Sequence, residues 1–164
     1  MELKGIKFRL PTNVVTRQDI SRLVVEVDEL DEFFIQMKLG KISKDNLPLT
    51  SRALNELIQL NGVNLLNQAH RSKLKLLLQT IRTKAPSVHI SFSGEPSRIF
   101  LDKLITWMRA NIHPLLILEI GLQPNIGVGF TLRTDNKIFD FSLKQHLQQN
   151  IEMLTQSIRN GVNV

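Results

Sequence analysis

Cysteine is absent from all 164 residues. That absence excludes disulfides, thiolate nucleophiles, zinc ribbons and thiolate-ligated iron–sulfur clusters, and with them a small disulfide-stapled secreted fold. Long apolar runs are also missing. The longest, Leu76 to Leu78 and Leu115 to Leu118, fall far short of the ~20 residues that cross a bilayer. Met1 to Asn13 carry Lys4, Lys7 and Arg9 with no apolar run behind them, so the central region of a signal peptide is lacking and a cytoplasmic protein is expected. Acids are missing over one long stretch, from Leu57 to Gly94.

What is present is the composition of a folded globular chain, 42% hydrophobic and 22% charged, with room for one domain or two small ones. Twenty-one Lys and Arg against 15 Asp and Glu leave a net charge of +6, which raises nucleic acid or an anionic surface as partners. Most of that excess lies in residues 1–85.

The apolar spacing predicts an α+β protein: a helical N-terminal region over 1–85, with about three helices in a bundle, and a β-α-β-β-α domain over 86–164. Thr16 caps a first helix, whose apolar residues Ile20, Leu23, Val27, Leu30, Phe34 and Met37 alternate in threes and fours up to Gly40. A second helix is expected over Leu49 to Leu60, capped by Thr50 or Ser51 and stopped at Asn61-Gly62. A third runs from Asn67 to Lys84, with Leu74, Leu77, Leu78 and Ile81 inward. After Pro86 the period becomes two, with Val88, Ile90 and Phe92 on one side of a strand. Gly94-Glu95-Pro96 opens a fourth helix that buries Ile99, Phe100, Leu104, Ile105 and Met108. Leu115 to Leu122 reads as a central strand covered on both faces. A strand from Ile126 through Leu132, a turn at Asp135-Asn136, a short strand over Lys137 to Phe141 and a last helix capped by Ser142 complete the order. That helix turns Leu143, Leu147, Ile151, Leu154 and Ile158 inward.

Charge is polarised between helices. The first carries Asp19, Glu26, Asp28, Glu29, Asp31 and Glu32 against Arg22 alone, and the third carries Arg71, Lys73, Lys75, Arg82 and Lys84 with no acid. Two such helices attract each other within one bundle or present separate surfaces to protein partners. No aromatic is interleaved with the basic residues to stack on bases, which disfavours nucleic acid.

No catalytic, cofactor-binding or metal-binding set emerges. His70, His89, His113 and His146 lack partners at metal-ligand spacing, and Gly127-Val128-Gly129 sits in an alternating strand without the rest of a phosphate loop. No Ser/His/Asp set lies on a strand-turn-helix frame. In the expected hairpin Arg133 lies opposite Ile138, which places Asp140 diagonally across from the guanidinium as a structural aspartate.

The run from Gly129 through Arg133, Ile138, Asp140, Ser142, Lys144 and Leu147 resembles the C-terminal signature of the delta subunit of the rotary ATP synthase, the bacterial counterpart of the oligomycin-sensitivity-conferring protein. A glycine opens a hydrophobic strand, a short turn leads to an Ile-Asp-x-Ser-like end, and a basic residue and leucines follow on a helix. With the β-α-β-β-α order from Ser87 to Arg159, the resemblance covers a little under half of the chain. It implies a stator protein without an active site or cofactor, held to the inner face of the cell membrane only through its complex. The partners it implies are the ATP synthase alpha subunit and the peripheral-stalk b subunit, with no direct membrane insertion. Under it, Ile20, Leu23, Val27, Leu30 and Phe34, with the basic Arg71, Lys73 and Lys75, face partners at the head, and Ile151 and Leu154 on the last helix meet a stalk coiled coil by helix-in-groove docking. Two other classes stay open: a basic module that binds nucleic acid or an acidic protein through Arg71, Lys73, Lys75, Arg82 and Lys84, and a small-molecule enzyme built on the glycine-bearing sheet.

Overall fold

A capping box starts the first helix. In the computed structural model, which describes residues 8–41, 43, 47–126, 128–133 and 138–141, the Thr16 hydroxyl accepts from the Asp19 N–H at 3.2 Å. The Asp19 carboxylate in turn accepts from the Thr16 N–H at 2.8 Å. Two amides that a helix start leaves orphaned are thus satisfied together. Helix α1 runs over Arg17–Lys38, and Gly40 follows its end at φ 70°.

Helix α2 (Arg52–Asn61) takes Ser51 as its N-cap, so Leu49 lies outside it and is fully exposed. Its first turn is held from α1, because the Glu26 carboxylate accepts from both the amide and the hydroxyl of Ser51. Gly62, at φ 62° and ψ 35°, closes the helix in the left-handed conformation that glycine takes at least cost. Helix α3 (Gln68–Lys84) is capped by Asn67.

Strand β1 (Ser87–Phe92), helix α4 (Arg98–Asn111), strand β2 (Ile117–Leu122), a 3-10 turn at Pro124–Ile126, strand β3 (Phe130–Arg133) and strand β4 (Ile138–Asp140) follow. The protein is therefore α+β, with four helices and a four-stranded mixed sheet among the described residues. The strand order is β2-β1-β3-β4, with β1–β3 and β3–β4 antiparallel. The expected last helix, from Ser142 onward, lies outside the described residues.

Two compact units share these elements. One comprises the described residues of Met1–Pro86 together with Arg98–Leu118, and the other those of Ser87–Ser97 together with Glu119–Val164. Helix α4 thus groups with the N-terminal helices. The core of the first unit joins Ile20, Leu23, Val27 and Leu30 of α1 to Leu54 and Leu57 of α2 and to Leu74, Leu78 and Ile81 of α3. The lead-in contributes Phe8, Leu10 and Val14 to the same core, and Ile117 completes it.

Three sequence expectations change here. The apolar run at 115–122 lies at a sheet edge and not at its centre. Leu116, Ile117 and Leu118 are buried, Leu122 is exposed, and the Leu118 amide donates to the Val15 carbonyl at 2.9 Å. The run is apolar because its first half packs with the helices, a demand that an all-apolar string does not distinguish from a strand covered on both faces. Helix α4 begins at Arg98 and buries Ile105 and Met108, with Leu101 and Leu104 partly buried, Ile99 exposed and Phe100 facing partly outward. Finally, β3 starts at Phe130 and not at Ile126, since Gly129 at φ 125° breaks the extended path.

Candidate functional site

Opposite charge meets at the α1–α3 contact. Arg71 is 2% exposed, and its Nε donates to the Asp31 carboxylate while Nη1 donates to the Leu65 carbonyl at 2.6 Å. Its guanidinium also lies over the Phe34 ring, 4.4 Å from the centroid. One turn further, Lys75 reaches Asp28 at 2.5 Å. The acidic and basic helices therefore serve each other, and the ion pairs come at the four-residue interval on α3 and the three-residue interval on α1 that bring successive helical turns to one face.

That arrangement corrects the expected partner-binding set. Ile20, Leu23, Val27 and Leu30 are buried in the chain's own core, where the helical spacing sends them, so they offer no surface to another protein. Phe33 and not Phe34 is the buried phenylalanine, while Phe34 is half-buried under Arg71. Arg71 is interior and Lys75 is paired, so of the expected basic patch Lys73, Arg82 and Lys84 remain exposed. Lys73 lines a small cavity of about 190 Å³ with His70, Leu74 and Leu77.

The hairpin residues fall in the expected register in the second unit. Arg133 pairs with Ile138 and Thr131 with Asp140. Gly129 opens the hairpin, and its carbonyl accepts from the Ser93 amide at 3.3 Å, which ties the mouth of β3 to the end of β1. One sheet face is apolar: Ile90 and Phe92 are buried, Phe92 and Phe130 pack with ring centroids 5.8 Å apart, and Phe130 stacks on Phe141 at 5.1 Å. The other face carries His89, Ser91, Thr131, Arg133 and Asp140, because alternation and register place them together. Ser142, Lys144, Leu147, Ile151 and Leu154 lie outside the described residues.

On this polar face the His89 Nε2 is 3.1 Å from the Ser91 hydroxyl. A Ser–His pair becomes a nucleophile when a third group orients the imidazole. Among the described residues His89 has no such carboxylate; the pair packs instead against Gly121, where an added Cβ would come within 3.2 Å of Nε2. Gly121 is the packing partner that lets β2 approach. No group of three or more His, Asp or Glu that could hold a metal ion occurs among the described residues. No described helix is long and apolar enough to cross a membrane.

Sequence reasoning missed Arg109. On α4 it donates to four backbone carbonyls of the lead-in and the segment before β2, and burial pushes its guanidinium down to about 10. The only signal in the sequence was a lone cation on the buried side of an amphipathic pattern, one residue after Met108. Compared with family models and with curated proteins, the chain has no match.

Proposed function

We propose that this chain is a non-catalytic stator subunit of a rotary proton-translocating ATP synthase, joining the catalytic head to the peripheral stalk. The observation that carries the reading is the hairpin. The residues resembling the delta-subunit signature form two paired strands, opened by Gly129 at a φ that favours glycine and ended by Asp140 opposite Thr131. In this reading the chain is a helical bundle followed by a β-α-β-β-α domain, which the helix capped by Ser142 completes. Ile151 and Leu154 on that helix meet the coiled coil of the b subunit. The alpha subunit is met by outward residues of the helical unit, such as the exposed Val25 and Leu76, because the Ile20 to Leu30 seam is interior.

A stator resists torque and performs no chemistry. The capping from Glu26 to Ser51 and the ion pairs between α1 and α3 lock three helices together, which is the stiffness such a part needs. The protein then resides on the cytoplasmic side of the cell membrane through its complex, with no cofactor of its own. Co-expression of the full chain with the alpha and b subunits of its own organism tests the reading. Co-elution of the three on gel filtration is expected; elution of the chain alone in both pairwise mixtures overturns it.

A further inference from the structure

Arg109 is a partly buried cation with no counter-charge among the described residues. Its Nε donates to the Leu116 carbonyl at 3.1 Å, Nη1 to those of Leu10 at 3.4 Å and Pro11 at 2.8 Å, and Nη2 to that of Val14 at 2.6 Å. Every acceptor is a neutral backbone oxygen, and one Nη2 hydrogen has no partner among the described residues. Neutral dipoles satisfy N–H groups but leave the charge itself uncompensated, whereas cations removed from water are as a rule matched by an anion. Burial shifts this group, and no carboxylate among the described residues acts on it.

Arg109 lines a solvent-facing groove of about 920 Å³ in the same unit, walled by the lead-in, α2 and α4. Arg9 lines it with a second, exposed guanidinium. Its one acid, Glu56, is already held by Arg52 at 2.7 Å. The remaining wall is largely aliphatic, from Leu10, Leu60, Ala110 and Pro114, with Leu60 about half exposed at 49%. A groove with two cations, one neutralised acid and apolar walls is complementary to a carboxylate flanked by aliphatic side chains. It is too large for a lone small anion, and it has no aromatic surface on which a nucleic-acid base could stack.

We propose that this groove docks an extended acidic peptide segment of a partner protein. A Glu or Asp carboxylate of that segment takes the unused Nη2–H of Arg109 and the guanidinium of Arg9, and its aliphatic neighbours lie on Leu60 and Pro114. The inference is independent of the stator reading, since it needs only the chemistry of the groove.

The test is selection from a random peptide display library against the full chain, followed by binding of the selected peptides to two variants. Arg109 itself ties the lead-in to α4, so its removal confounds folding with binding. Arg9→Glu and Thr106→Glu change exposed positions that line the groove, and Thr106 lies one turn before Arg109, where a glutamate supplies the missing counter-charge within the chain. Selected peptides are expected to carry an acid between aliphatic residues, to lose binding at least about tenfold when that acid becomes its amide, and to lose as much on both folded variants. Thr106→Glu should also raise the thermal midpoint. Selected peptides without an acid, binding indifferent to both variants, or no enrichment at all overturns the proposal.

Discussion

The Arg71 guanidinium on α3 lies 4.4 Å above the ring of Phe34 on α1, while its Nε is bonded to Asp31 one turn away. Charge, hydrogen bonding and packing therefore converge on one side chain. Arg71→Ala leaves the part-buried Asp31 without its cation and should cost about 3 kcal/mol, whereas Lys75→Ala, which breaks a half-exposed pair, should cost less than about 1 kcal/mol. Arg71→Lys cannot restore the forked bonding to Asp31 and Leu65, so it should recover only part of the loss. Urea unfolding of the three variants measures the difference.

The apolar seam of α1 faces inward. Leu23→Ala should therefore destabilise the protein by about 2–5 kcal/mol through the lost transfer energy and the cavity left behind. A seam presented to a partner would instead leave the free chain's stability nearly unchanged, so the unfolding midpoint of the isolated protein discriminates the two.

Gly129 and Gly62 both hold positive φ, at 125° and 62°. The left-handed region near φ 62° admits a Cβ at a modest cost, so Gly62→Ala should lower stability by about 1 kcal/mol. Gly129 lies further from any conformation that L residues populate, and Gly129→Ala should cost about 1–3 kcal/mol and weaken the pairing of β3 with β1. Amide exchange at Ser93 and Thr131 reports whether the hairpin mouth has loosened.

Arg109 makes a prediction in pH. Burial lowers its pKa from the ordinary arginine range to about 10, so the folded chain holds that proton less tightly than the unfolded one. Above about pH 10, up to the ordinary arginine range, the unfolded chain binds more protons and this group's contribution to stability rises with pH; below about 10 both states are charged and the contribution is constant. The difference in unfolding free energy between the natural chain and Arg109→Met should therefore be flat from about pH 4.5 to about pH 9. A slope near the acid end would reveal a carboxylate paired with Arg109, contrary to the four neutral carbonyls found around it.

Much of the helical part was legible from residue order alone. The Thr16 cap, the Asn61-Gly62 stop and the inward Leu74, Leu78 and Ile81 follow from local hydrogen bonding and the 3.6-residue period, both of which act over a few residues. The opposite charges of α1 and α3 were legible too, although pairing with each other stood beside facing separate partners, and the pairing of Arg133 with Ile138 across a short turn was read directly. The sequence by itself thus determined where the first three helices and strand β1 lie, and that α1 and α3 carry opposite charge. The tertiary structure alone decided that Arg71 is interior, that the lead-in enters the core, that 115–122 lies at a sheet edge, and that Arg109 gathers carbonyls from residues up to 99 positions away. Those outcomes depend on which distant segments meet, and an apolar residue or a lone arginine reads the same in sequence whether its neighbour in space is solvent, a helix or a backbone carbonyl.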